Sequence, residues 1–106
     1  MISFKLGNDV YLEFNVKINK APAIISSVSG ELYRDGEYLR TFVARNEKSR
    51  VSGLIVGGTF STTGEYVAKF RVGLDSMGVK EHAVPFRITK SVLGKKRAKT
   101  IDRVMA

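Results

Sequence analysis

The sequence has no cysteine, no tryptophan and a single histidine among its 106 residues. Without cysteine, disulfides, thiolate metal sites and cysteine nucleophiles are excluded, so the fold depends on packing and hydrogen bonds alone. The histidine, His82, has only Glu81 as a close acidic neighbour in the chain, whereas a zinc site needs several converging ligands. We therefore expect no metal and no cofactor, and we interpret His82 as a surface or sheet-edge residue.

Catalytic and targeting motifs are also missing. The serines at positions 26, 27 and 29 lie outside any Gly-x-Ser-x-Gly elbow, and the segment 53–58 lacks the lysine and the helix of a phosphate-binding loop. The first residues do not form a signal peptide, and no apolar run approaches the ~20 residues that cross a bilayer. We therefore expect a protein that is not an enzyme, is made in the cytoplasm and does not span a membrane.

Alternating hydrophobicity is the strongest positive signal. In residues 8–19 every second residue is apolar and the residues between are mostly polar; the apolar set is Val10, Leu12, Phe14, Val16 and Ile18. Residues 66–72 and 84–88 repeat the same period of two. This period is typical of β-strands that bury one face, so we predict a strand in each segment.

Turn signals separate these segments. Asp35-Gly36 joins two arms, residues 28–34 and 37–43, and suits a type I′ hairpin turn because both residues tolerate positive φ. Pro85 indicates a sheet edge or a bulge, because proline cannot donate to a ladder. With the shorter runs included, the sequence predicts seven to eight strands. The expected fold class is all-β, an immunoglobulin-like antiparallel β-sandwich over residues 1–90, with a basic carboxyl-terminal tail over residues 91–106.

Residues 62–70, Thr-Thr-Gly-Glu-Tyr-Val-Ala-Lys-Phe, resemble the tyrosine corner of immunoglobulin-like domains. Gly64 and Tyr66 match the glycine and the tyrosine of that motif. The resemblance implies that the Tyr66 hydroxyl bonds to backbone a few residues upstream. Ala68 stands where antibody domains have their second core cysteine, so the chain departs from the antibody type. The alternative is an ordinary half-buried strand tyrosine.

Residues 4–43 resemble the immunoglobulin-like modules of bacteriophage structural proteins, such as the amino-terminal domain of upper baseplate proteins. The resemblance lies in Phe-Lys-Leu-Gly-Asn-Asp-Val at residues 4–10, the long alternating segment, Ala-Pro-Ala-Ile at residues 21–24 and the Asp35-Gly36 turn. It implies a non-enzymatic building block of a virion, in the tail, the neck or the head decoration. Its partners would be other copies of itself or a larger scaffold protein. No catalytic residues are implied.

The positive charge is concentrated in the tail. Residues 90–106 hold six basic residues and one acidic residue, a net charge of +5. Residues 1–89 hold twelve basic and nine acidic residues, a net charge of +3. We predict that the tail binds a partner through Lys95, Lys96, Arg97, Lys99, Ile101, Arg103, Val104 and Met105. Ile101, Val104 and Met105 have the i, i+3, i+4 spacing of a helix that is too short to be stable alone, so we expect it to form only on a partner. A solvated, frayed terminus is the alternative.

Two other functions remain open at this stage. The basic tail would suit nucleic acid, and Tyr33, Arg34, Tyr38 and Arg40 approach the aromatic-basic pattern of single-strand binders. We interpret those four residues as cross-strand pairs of the hairpin. A carbohydrate- or receptor-binding module is the other possibility, because exposed tyrosines (Tyr11 together with Tyr33 and Tyr38) could stack on sugar rings.

Overall fold

The computed structural model describes residues 1–75 and 77–90 in full and the backbone of residues 101–105. These residues form ten strands and one 3-10 turn at Gly57–Thr59. The strands are β1 (Ile2–Lys5), β2 (Asp9–Asn15), β3 (Lys17–Ile18), β4 (Ala21–Pro22), β5 (Ile25–Arg34), β6 (Glu37–Glu47), β7 (Arg50–Ile55), β8 (Gly64–Leu74), β9 (Gly78–Thr89) and β10 (Ile101–Met105). Eight of them follow one hydrogen-bonded order, and β3 pairs with β4 alone.

Strand β6 divides that order into two sheets. Its residues 37–42 pair with β5, and its residues 43–47 pair with β7. Sheet I is therefore β1-β9-β8-β5-β6, and sheet II is β6-β7-β2-β10. The two sheets enclose one hydrophobic core, and the predicted immunoglobulin-like β-sandwich is confirmed. The inner pairs are antiparallel, but each sheet ends in a parallel pair, β1 with β9 and β10 with β2.

The core is built from the alternating residues of β2, β8 and β9. Those that are buried are Val10, Leu12, Phe14, Tyr66, Ala68, Phe70, Val72, Val84, Phe86 and Ile88. Phe14 of sheet II meets Phe70 of sheet I edge to face, with ring centroids 5.0 Å apart. Each buried phenylalanine stabilises the fold by about 2–3 kcal/mol through the apolar surface that it removes from water. The two sheets are therefore held together mainly by aromatic and aliphatic contacts.

Two hairpin turns have the same geometry, and only one was predicted. Asp35 and Gly36 have φ of 51° and 80°, as a type I′ turn requires. Asn19 and Lys20, with φ of 50° and 68°, form a second such turn between β3 and β4. The prediction of one continuous strand over residues 8–19 is wrong, because Val16 leaves the ladder. Its N–H donates to the Ser49 carbonyl at 2.8 Å, and its carbonyl accepts from Ala23 at 3.1 Å.

The crossing of β6 between the sheets depends on one aromatic ring and two glycines. Phe42 is the last residue of β6 that pairs with β5. A Cβ at Gly30 of β5 would lie 2.4 Å from the Phe42 ring, and a Cβ at Gly53 of β7 would lie 2.6 Å from it. No side chain fits at either position, so glycines on both neighbours of β6 leave room for the ring. The ring also contacts Phe70 at a centroid distance of 5.2 Å and thereby joins the crossing to the core.

Candidate functional site

The predicted corner residues Gly64 and Tyr66 lie at the start of β8. The Tyr66 hydroxyl donates to the Thr62 carbonyl at 2.8 Å, which is the contact that a tyrosine corner requires. Its ring is buried between Phe60 and Phe86, at centroid distances of 4.9 Å and 5.9 Å. Gly64 has a φ of 137°, a backbone conformation that residues other than glycine rarely adopt.

Arg34 braces this corner, and sequence reasoning missed that role. Its guanidinium donates from Nη1 to Thr62 Oγ1 and to Tyr66 Oη, the latter at 3.1 Å, and from Nη2 to the Thr63 carbonyl at 3.1 Å. The same guanidinium lies 5.2 Å from the centre of the Tyr66 ring. Because Arg34 ends β5, the contact ties the hairpin to the turn before β8. All these groups are accounted for by stabilising contacts, so the corner is a structural site.

The predicted tail residues fall into two groups. Lys95, Lys96, Arg97 and Lys99 lie outside the described residues. The others, Ile101, Arg103, Val104 and Met105, belong to β10, whose backbone pairs in parallel with β2 from Ile101 opposite Asp9 to Met105 opposite Glu13. Here the segment is extended and not helical, because the outer edge of β2 offers backbone donors and acceptors that complete a ladder. The helix expected on a partner stays a prediction.

Next to this edge, sheet II carries a buried charge on β2. Glu13 is 5% exposed, and its carboxylate lies 3.6 Å from Arg50 of β7. It also accepts a hydrogen bond from the Tyr11 hydroxyl at 3.4 Å. These residues line a polar cavity of about 370 Å³ together with Arg45, Asn46, Glu47 and Ser52. Tyr11 is half-buried and held by Glu13, so its ring is less available for stacking on a sugar than the sequence suggested.

The two hairpin tyrosines form the predicted cross-strand pair. Tyr33 and Tyr38 face each other across the ladder, with ring centroids 5.9 Å apart in an edge-to-face arrangement. The Tyr33 hydroxyl donates to Glu31 at 3.2 Å, and the Lys69 ammonium lies 4.3 Å from the centre of its ring. Desolvation and the hydrogen bond to Glu31 raise the pKa of Tyr33 above its ordinary value. Because these contacts engage the Tyr33 ring and hydroxyl, Tyr33 is less available to stack on the bases of a single-stranded nucleic acid.

The outer face of sheet I carries basic and acidic residues in pairs. Arg71 of β8 lies 3.8 Å from Glu31 of β5 and 3.7 Å from Glu81 of β9. Six residues along the same β8–β9 ladder, Arg87 of β9 donates to Glu65 of β8 at 2.9 Å. A surface that binds phosphate needs unpaired basic residues, and these arginines are paired. The nucleic-acid alternative therefore rests more on the charge of the tail than on these paired arginines.

A cleft opens between the sheets beside the β8–β9 turn. It has a volume of about 490 Å³ and lies between residues 14–19 on one side and β8, the turn and β9 on the other. Phe14, Val72 and Leu74 are buried at its base. The His82 ring packs on Phe14 at a centroid distance of 4.4 Å but stays exposed, in line with the surface or edge position predicted for it.

The cleft runs along a part of β9 that the described strands pair with on one side only. Residues 78–88 of β9 pair with β8, but β1 covers only residues 86–89 on the other side. Within the described residues, no strand pairs with that side of residues 78–85. Pro85 is the last residue of this open stretch, where its missing N–H is tolerated. β9 therefore offers an open edge next to an apolar cleft.

Metal ligands do not converge in the part of the chain that the structure describes. Within residues 1–75 and 77–90, no group of three or more His, Asp or Glu side chains could hold a metal ion. No buried polar side-chain atom of these residues lacks a hydrogen-bond partner. Among the same residues, no helix is long and apolar enough to cross a membrane.

Comparison with known proteins identifies the fold and not a family. No protein-family model and no curated protein match the chain. Among solved structures, it is similar to CopC from Methylosinus trichosporium OB3b, with a TM-score of 0.50 and 16% identity over 72% of this chain and 74% of that chain. It is also similar to the twitchin kinase region from C. elegans (Fn31-NL-kin-CRD-Ig26), with a TM-score of 0.48 and 20% identity over 82% of this chain and 14% of that chain. The likeness to CopC shows the sandwich fold alone, and the resemblance to phage modules stays a prediction.

Proposed function

We propose that this protein is a non-enzymatic assembly module, a component of a bacteriophage virion that packs against neighbouring subunits. The observation that carries the proposal is the ladder between β10 and β2. A segment near the end of the chain adds itself to the outer edge of sheet II through backbone pairing at five positions. Addition of a terminal strand to an exposed sheet edge is a recurrent way of joining protein subunits.

The connection between β9 and β10 supports exchange of β10 between copies. Thr89 at the end of β9 lies opposite Lys5, and only three residues separate Lys5 from Asp9, where β10 begins to pair. Eleven residues, 90–100, join Thr89 to Ile101. Eleven residues span about 35 Å when extended, which is far more than the distance from the end of β9 to the start of the β10 ladder requires. The connection is thus long enough for β10 to reach β2 of a neighbour, where it would find the same ladder.

The proposal is tested by sedimentation velocity on the full chain over a range of concentrations. We expect self-association that Val104→Pro abolishes, because proline cannot donate to a ladder, and that the matched Val104→Thr keeps. A chain that stays monomeric at the highest concentration, or associates equally well with proline at position 104, would contradict the role of β10.

Salt dependence separates this function from nucleic-acid binding. Backbone pairing carries no net charge, so self-association should persist at high salt. Binding of DNA through about five tail cations should instead weaken with a slope near −4.5 in log affinity against log salt. Tight, salt-sensitive DNA binding by a chain that does not self-associate would favour the basic nucleic-acid-binding module. For the virion itself, we expect capsid or tail genes beside this one, and replication genes there would count against it.

A further inference from the structure

The open edge of β9 is a place where the sandwich is incomplete. In the described residues, β1 and β10 line the side of the sandwich where the two sheets end, at residues 86–89 of β9 and 9–13 of β2. Further along the same side, residues 78–85 of β9 have backbone groups that face outward, and no strand in the part of the chain that the structure describes pairs with them. Proteins usually protect such an edge, because it is a template for another strand. Val79, which is 68% exposed, adds an apolar side chain to this edge.

The cleft beside this edge is shaped to receive side chains from an added strand. Lys80 and His82 alternate with Glu81, so they share the face of β9 that carries buried Val84 and that turns toward the cleft. A strand added to β9 would point every second side chain toward the same face. The apolar residues that those side chains would meet are Phe14, Val16, Ile18, Val72, Leu74 and Met77. The site therefore favours a segment with apolar residues at alternate positions.

The charge at the cleft favours an acidic segment. Lys17 and Lys80 line its mouth, and neither has an acidic partner within the described residues. Among the described lining residues Glu81 is the one carboxylate, and Arg71 lies 3.7 Å from it. Asp75, in the adjoining turn, lies outside the lining. Residues 90–106 of the chain itself carry a net charge of +5, so the charge disfavours that segment as the occupant.

We propose that the open edge of β9 and its cleft bind an extended segment of a neighbouring, different subunit, one that pairs with residues 78–85 as an added strand and points both apolar and acidic side chains toward the cleft that Lys17 and Lys80 line. This inference rests on the proposed function for the existence of a neighbouring subunit. It uses a site on the opposite sheet from the β2 edge that receives β10. The two proposals can therefore fail separately.

The test is a titration of the ¹⁵N-labelled full chain with three synthetic peptides, followed by amide hydrogen exchange. The first peptide has valine, isoleucine and glutamate at every second position, all on one face, with threonine between them; the second has lysine in place of glutamate, and the third is the first with alternate amides N-methylated. We expect the first peptide alone to bind, to shift residues 78–85 and 14–18, and to slow exchange of β9 amides at alternate positions. Those protected amides identify strand pairing, which simple docking in the cleft would not produce.

Matched charge reversals complete the test. Lys80→Glu should weaken binding of the acidic peptide about tenfold, because an exposed attraction is replaced by a repulsion. Arg40→Glu, a charge reversal at an exposed residue of β6, three strands away from β9 in the sheet order, should leave binding unchanged. Equal binding of the lysine or N-methylated peptide would overturn the proposal, as would shifts confined to other residues. Concentration-dependent shifts of residues 78–85 without peptide would also overturn it, in favour of a second copy as the occupant. The Val104→Pro variant should bind the peptide normally, which separates this result from failure of the tail.

Discussion

Removing one hydroxyl from the tyrosine corner should destabilise the fold measurably. In Tyr66→Phe the ring keeps its packing against Phe60 and Phe86, while the hydrogen bond to the Thr62 carbonyl and the acceptor for Arg34 are lost. The Thr62 carbonyl and the guanidinium are near the surface, so water can replace part of what is lost. We therefore expect a loss of about 1–1.5 kcal/mol in the free energy of unfolding, close to the net value of one or two hydrogen bonds. For a chain of this length, the melting temperature should fall by about 4–7 °C.

The matched control is Tyr38→Phe, which removes a hydroxyl from a tyrosine that is 53% exposed. Its unfolding free energy should stay within about 0.5 kcal/mol of the parent, as for most surface changes. Urea unfolding, followed by circular dichroism, measures both variants. A double-mutant cycle with Arg34→Ala should give a coupling energy of about 0.5–1.5 kcal/mol between Arg34 and the Tyr66 hydroxyl. If Tyr66→Phe and Tyr38→Phe are equally stable, or if the cycle shows no coupling, the corner does not brace the hairpin as the distances indicate.

Two further predictions concern the crossing strand and the buried carboxylate. Gly53→Ala should lower the free energy of unfolding by about 2–3 kcal/mol, because the new methyl group overlaps the Phe42 ring. Gly58→Ala, whose added methyl group meets no atom within 4 Å, should leave stability unchanged. Thermal melts that shift equally for both variants would refute the steric argument. Arg50→Ala should cost about 1–2 kcal/mol, because it leaves the Glu13 carboxylate buried without its ion-pair partner. Denaturant unfolding measures that loss of stability. Adding Glu13→Gln to Arg50→Ala should recover part of the lost stability, because it removes the unpaired charge. A double variant that is less stable than Arg50→Ala alone would contradict the explanation.

The two proposed docking sites differ in how much of each was visible in the sequence. The tail was singled out by its charge, but its backbone in β10 is paired as a strand, where the spacing of Ile101, Val104 and Met105 had indicated a helix. In a segment this short, local propensity is weak, and an adjacent edge of β2 decides the conformation. The cleft could not be predicted from the sequence, because its lining residues come from segments about 60 residues apart.

Local chemistry explains what the sequence determined by itself. Period-two alternation in β2, β8 and β9 sets which residues face the core, and Asp35-Gly36 sets a hairpin turn, because both signals act between neighbouring residues. The glycine and the tyrosine of the corner were visible for the same reason.

Contacts between distant residues were decided only by the tertiary structure. Arg34 reaches Tyr66 from 32 positions away, Phe42 occupies the space left by Gly30 and Gly53, and β1 leaves most of β9 uncovered. Each depends on which strands become neighbours, and hydrophobic alternation does not specify that choice. The alternation requires a buried face for β2, β8 and β9, but only the packed sandwich determines which edges remain open to a partner.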